Sequence, residues 1–115
     1  MMTTRGEIWI VCLDPTVGKE INKSRPAVVV NNSNVGRLPL KIIVPITEWK
    51  DTYSQARWFV HLMPTENNGL AKESAADALQ VRSVGESRLL HKIGELSQAE
   101  MNQVSKALMV CLDLP

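Results

Sequence analysis

Apolar residues in this chain come in short runs, each closed by turn-forming residues, and only the last has helical spacing. That single feature restricts the fold more than any other. In Glu7–Leu13 (EIWIVCL), Ile8, Ile10 and Cys12 line one face of a strand and Trp9, Val11 and Leu13 the other. A strand apolar on both faces belongs in the middle of a sheet. Asp14-Pro15-Thr16 and then Gly18 supply the turn that closes it. Ala27–Asn32 (AVVVNN) is a β-branched run between Pro26 and two asparagines, which reads as a second strand. Leu40–Thr47 (LKIIVPIT) is a third, and Pro45 predicts an edge or a bulge at its end, because proline has no N–H for the ladder. Arg57–Leu62 (RWFVHL), Ala75–Val84 (AADALQVRSV) and His91–Leu96 (HKIGEL) continue the series, separated by ENNG and VGESR.

The last segment switches period. Ser97-Gln98-Ala99-Glu100 has the form of a capping box. Met101, Val104, Leu108 and Cys111 or Leu112 then recur at helical spacing, and the helix is expected to stop near Asp113. Antiparallel strands with one terminal covering helix make a small α+β or barrel-like fold. At 115 residues, 1–115 is expected to be one domain with one modest core.

Composition narrows the function. Net charge is +1, too small for gripping duplex nucleic acid by bulk electrostatics. Residues 1–57 carry eight Lys and Arg against five Asp and Glu, whereas residues 58–115 carry five against seven. The basic first half suits contact with a few phosphates. There is no apolar run of 18 residues and no basic stretch leading into a hydrophobic one near the N-terminus, so a cytoplasmic protein without a membrane span is expected. Cys12 and Cys111, both in apolar patterns, read as reduced core residues. His61 and His91 have no second ligand at metal-binding spacing, and neither a phosphate-binding glycine loop nor a G-x-S-x-G elbow is present.

Two positions carry candidate chemistry. Pro26 stiffens the start of a buried strand and biases Arg25 toward an extended conformation. Such an arginine either covers the end of the sheet or forms an anion fork, since a guanidinium meets phosphate bidentately. Thr47 leaves the third strand as Arg25 leads into the second, so adjacent antiparallel strands would set both at one sheet end; β-propensity alone also accounts for a threonine there. Glu20, on the loop before Arg25, could orient it, take a proton, or simply be solvated. Trp9 and Trp58 read as core, whereas Trp49, between Glu48 and Lys50, reads as an exposed face on which a base could stack.

The blocks RGEIWIVCLDPTVGKEINKSRPAVVVNN, IIVPIT and LQVRSV together resemble the MazF/PemK (Kid) family of toxin–antitoxin ribonucleases. The first block matches over residues 5–32, and the order and spacing of the others fit through residue 112. The resemblance implies an SH3-like, strongly curved antiparallel sheet with a C-terminal helix, assembled as a homodimer. It implies a sequence-specific, ribosome-independent endoribonuclease that needs no metal or cofactor. Single-stranded mRNA would be cut by 2′-OH attack to leave 2′,3′-cyclic phosphate and 5′-OH ends, and a cognate MazE-like antitoxin would neutralise the enzyme. Arg25 and Thr47 would be the catalytic pair, with Glu20 as candidate base and Arg25 as candidate acid. Lys19, Asn22, Lys23, Trp49, Gln80 and Arg82 would contact RNA.

Two positions depart from the family pattern. Leu79 stands where relatives often carry an acid before the glutamine, with Asp77 two residues earlier on the same strand face. Glu48 follows Thr47, where its charge would mildly repel a phosphate. Two other classes therefore stay in view: a catalytically degenerate binding module, and a gyrase-poisoning toxin of the CcdB type. The latter uses an aromatic close to its last residue, and this chain ends CLDLP.

Overall fold

The structure is a computed structural model and describes residues 2–115. Its strands are β1 (Glu7–Cys12), β2 (Ser24–Val29), β3 (Leu40–Glu48), β4 (Phe59–Leu62), β5 (Ser74–Asp77), β6 (Arg82–Gly85) and β7 (Leu89–Glu95), followed by helix α1 (Gln98–Leu112). All pairings are antiparallel, in the order β4-β5-β3-β2-β1-β7, with β6 also on β3. The expected architecture is there with one correction. Among the described residues no strand pairing joins β4 to β7, so the sheet is open rather than a closed barrel.

Three further expectations change. Ala75–Val84 is not one strand: Asp77 accepts the Leu79 amide and turns Ala78–Gln80 into a single 3₁₀ turn between β5 and β6. Asp77 and Leu79 therefore do not share a strand face. Trp58 is 37% exposed rather than in the core. Pro45 lies neither at an edge nor in a bulge; it is fully buried in β3, opposite Ala27.

Register explains the tolerance. The Val30 amide donates to the Ile42 carbonyl, and pairs alternate from there. Ala27 and Pro45 then form a non-hydrogen-bonded pair, with the Pro45 nitrogen turned away from β2. On that far side β3 is paired with β6 as far as Ile43 and with β5 from Ile46, so the missing N–H falls in the gap between two partners.

The core has two parts, one on each face of the sheet. One cluster gathers Ile8, Val28, Val44, Ile46 and Leu62 under Met101, Val104 and Ala107 of α1, with Leu108 and Cys111 half-buried at its margin. The smaller cluster holds Val11, Leu13, Ala27, Val29, Ile43, Val84 and Leu89, with Trp9 packed against it. Both cysteines are free and half-buried. The capping box forms as expected: Ser97 Oγ accepts the Glu100 amide at 3.1 Å, and Glu100 Oε1 accepts the Ser97 amide at 2.8 Å. Such a cap stabilises a helix by about 1 kcal/mol.

The RGE sequence before β1 also has a visible role. Arg5 donates to the Val30 carbonyl and, at 2.7 Å, to Ser105 Oγ, tying the end of β2 to α1. Glu7 is 8% exposed. Burial pushes its carboxyl up, but hydrogen bonds from the Trp9 indole, Thr4 and Lys92 outweigh that and hold it below its ordinary value. Glu7 thereby fastens β1 to β7.

Candidate active site

Pro26 makes the doorway. The Leu13 amide donates to the Lys23 carbonyl, which sets the β1–β2 alternation and turns the Pro26 nitrogen toward β3. The next β2–β3 pair after Ala27–Pro45 would be Pro26–Ile46, and it would need the N–H that Pro26 lacks. The ladder stops at Ala27–Pro45. Beyond it β2 stays on β1 through Arg25–Val11, while β3 passes to β5 through Thr47–Ala75. Carried forward one step further, the register sets Arg25 opposite Thr47, on the same face of the sheet as Ala27 and Pro45. The two side chains are thus brought to the point where their strands part.

Both line a small cavity of about 90 Å³ together with Pro26, Glu48, Lys72 and Ser74. Arg25 is half-buried, and its Nε donates to the Asn22 carbonyl at 3.2 Å. No hydrogen bond engages its terminal nitrogens among the described residues. The charge expected to repel a phosphate here is partly met, because Lys72 Nζ lies 3.4 Å from the Glu48 carboxylate. The pair is well exposed and adds little stability, but it places an unforeseen cation at the mouth.

A larger cavity of about 520 Å³ lies beside it, across Pro45, lined by Lys19, Glu20, Ile21, Leu79, Gln80 and Arg82 among others. Arg25 and Thr47 thus line one hollow and Lys19, Glu20, Gln80 and Arg82 the other, whereas Asn22, Lys23 and Trp49 line neither. Glu20 is exposed, its carboxylate accepting the Val17 amide within its own turn. Lys19, Asn22 and Lys23 are exposed on the same loop, with Lys23 at φ 65°. Arg82 Nη1 donates to the Leu13 carbonyl at 3.1 Å and braces the start of the loop. The Gln80 amide is engaged at both ends, accepting from the Ile21 amide at 2.6 Å and donating to Asp77 Oδ2 at 3.1 Å. Burial pushes the Asp77 carboxyl above its ordinary value, and bonds from Leu79 and Gln80 pull against that rise.

Trp49 is half-buried rather than freely exposed. Its ring stacks on His61 at 4.0 Å and meets Tyr53 edge-on at 5.8 Å, while His61 Nε2 sits 2.6 Å from Glu73 Oε2. His61 pairs with Ala75, which pairs with Thr47, so this aromatic group closes the β4 side of the same face. Sequence reasoning missed Lys72. It lies 24 residues from Glu48, and only the β3–β5 register brings the two together.

The family model described as the PemK-like, MazF-like toxin of type II toxin–antitoxin systems matches residues 4–112. The chain belongs to this family. Endoribonuclease MazF9 of Mycobacterium tuberculosis is 39% identical over 119 aligned residues, covering 98% of this chain and 98% of that protein. The crystal structure of MazF from Deinococcus radiodurans superposes with a TM-score of 0.81 at 22% identity over 99% of each chain. An endoribonuclease in complex with its cognate antitoxin, from a mycobacterial species, gives 0.76 at 21% identity, covering 99% of this chain and 98% of that one. The two solved structures share the fold of this PemK/MazF-family chain; the family rests on the sequence match.

Proposed function

We propose that this chain is a toxin endoribonuclease that cuts single-stranded RNA at a phosphodiester seated between Arg25 and Thr47. One observation carries the reading: Pro26 ends the β2–β3 ladder where the register sets Arg25 opposite Thr47. The name of the 39% identical relative, an endoribonuclease, supports it.

RNA carries its own nucleophile, so the protein need only orient, neutralise charge and move protons. The ribose 2′-oxygen attacks the adjacent phosphorus and the bond to the 5′-oxygen breaks, leaving a 2′,3′-cyclic phosphate and a 5′-hydroxyl. The free terminal nitrogens of Arg25 bind the non-bridging oxygens as negative charge builds, and the Thr47 hydroxyl donates to one of them. Preorganised donors of this kind contribute about 10²–10³ in rate each. Glu20 accepts the 2′-OH proton and Arg25 returns one to the leaving oxygen, steps worth about 10²–10⁴ together. Lys19, Lys23 and Arg82 attract the flanking phosphates, Lys72 adds a further cation, and Asn22, Gln80 and Trp49 bound the base-reading surface. No step requires a metal or a ribosome.

A second copy of the chain would extend the two shallow hollows into a groove long enough for several nucleotides. A MazE-like antitoxin would occupy that surface, in keeping with the antitoxin complex solved for a similar fold. Among the described residues no helix is long and apolar enough to cross a membrane, and the substrate puts the protein in the cytoplasm.

The test is cleavage of a long single-stranded RNA in EDTA by wild type and by Arg25→Ala, with the new ends mapped. Cuts at one short repeated sequence, 5′-hydroxyl ends and their loss in the variant are expected. A folded wild type that cuts none of several RNAs rejects the reading. Gyrase-dependent DNA breakage would then separate a gyrase poison from a non-catalytic binding module.

A further inference from the structure

We infer that Asp77 is a positioning residue that, through the Gln80 side chain, holds the β1–β2 loop at the mouth of the candidate site. The inference rests on the ribonuclease reading for its consequence, but not for its geometry.

Asp77 is 6% exposed and sits where β5 turns into the 3₁₀ turn. Its Oδ1 accepts the Leu79 amide at 3.2 Å, and its Oδ2 accepts Gln80 Nε2 at 3.1 Å. Gln80 Oε1 accepts the Ile21 amide at 2.6 Å, and Nε2 reaches the Lys19 carbonyl at 3.4 Å. The chain has a direction. A carboxylate only accepts, so it forces the NH₂ side of the Gln80 amide toward itself and leaves the carbonyl side for Ile21. Reversed, Gln80 would present its carbonyl to a carboxylate and its NH₂ to an N–H, and both contacts would be lost.

The middle of the loop, residues 17–21, depends on this one amide. Glu20 N–H bonds to Val17 O, and the Glu20 carboxylate to Val17 N–H, both inside the loop. Among the described residues, the hydrogen bonds from residues 17–21 to the rest of the protein both go to Gln80. The two anchored residues, Lys19 and Ile21, bracket Glu20. Asp77 itself is unsuited to abstract a proton from substrate, since both its oxygens are committed inside the protein. Its part is indirect: it sets the amide, the amide sets the loop, and the loop sets Glu20 in the cavity that Pro45 also lines.

The experiment compares wild type, Asp77→Asn, Gln80→Leu and the double variant by two readouts. One is hydrogen exchange at the Ile21 amide; the other is kcat and KM for cleavage of an oligoribonucleotide containing the mapped cleavage sequence. In Asp77→Asn a single carbonyl oxygen serves both the Leu79 amide and Gln80, and the new NH₂ group faces another donor. Both single variants should speed Ile21 exchange about tenfold and lower kcat about tenfold with KM changed less than about threefold, because misplacement of a reacting group costs turnover first. The double variant should be no worse than the worse single, as expected of residues acting in series. Unchanged Ile21 exchange in Asp77→Asn overturns the inference, and so does faster exchange with unchanged kcat. If Asp77→Asn fails to fold, Asp77→Ser, whose hydroxyl can still accept the Leu79 amide but does not reach Gln80, decides on the same two readouts. A wild type that cuts no RNA, while Asp77→Asn still frees the Ile21 amide, defeats the ribonuclease reading and retains the loop-holding contact.

Discussion

Two loops of this molecule are held in opposite ways. The segment at residues 63–70 is organised around Asn68, which is fully buried. Its Oδ1 accepts the amides of Thr65 and Leu70, both at 3.0 Å, and its Nδ2 donates to the Met63 carbonyl at 2.9 Å. Backbone packs directly on backbone there: a Cβ on Gly94 of β7 would stand 2.4 Å from Asn68, and one on Gly69 would stand 2.0 Å from the Ile93 carbonyl oxygen. The β1–β2 loop is exposed through most of its length and hangs from side chains, those of Gln80, Arg82 and Arg88, the last donating to the Asp14 carbonyl. One loop is part of the scaffold. The other is a surface element attached through a few side chains, the usual character of a loop free to carry function.

The contrast can be broken most sharply at Gly94. Gly94→Ala forces a methyl group into the Asn68 backbone and should cost about 3 kcal/mol or more in denaturant unfolding, at the upper end for overpacking. A cost under about 1 kcal/mol would mean that the two segments separate readily. Asn68→Ala comes next. It leaves the buried Leu70 amide and the partly exposed Thr65 amide without an acceptor, and about 2 kcal/mol is expected from the cost of unpaired buried donors; both variants should cleave RNA normally wherever they remain folded. Gly18→Ala, in the β1–β2 loop, is the smallest. Gly18 has φ +59° and open space around it, so only backbone strain of about 1 kcal/mol is expected. Thermal or denaturant unfolding of Gly18→Ala beside Gly94→Ala gives the comparison directly, one glycine lost from each kind of loop.

Much of this was legible in the residues. β-branched runs between turn signals placed most of the strands, and the Ser97–Glu100 box placed the helix, because period and capping are local properties. The placing of Arg25 opposite Thr47 was legible in part: Pro26 reads as a strand start, although β2 begins at Ser24, and Thr47 reads as a strand end, one residue before β3 stops. What lay hidden depends on partners far along the chain. Pro45 reads as a ladder breaker until β3 is seen to change partners from β6 to β5 beside it. Ala75–Val84 has the composition of a strand, yet Asp77 bonds the Leu79 amide and turns the backbone. Trp49 looks like a free platform beside two charged residues, but His61 and Tyr53 claim its ring. Lys72 and the Asp77–Gln80–Ile21 chain carry no sequence pattern, since their contacts span 24 and 59 residues.

Cleavage at the Pro26 doorway requires Arg25 and Thr47 to act on one phosphate. The direct test is a double-mutant cycle on single-turnover cleavage, with Arg25→Ala, Thr47→Val and the double variant on one oligoribonucleotide containing the mapped cleavage sequence. Each single change should slow cleavage about 10²-fold or more, and the double should fall well short of the product of the two, because each donor stabilises the same developing charge. Losses that multiply fully, or a Thr47→Val enzyme that cleaves at the wild-type rate, would contradict the shared site at the Pro26 doorway.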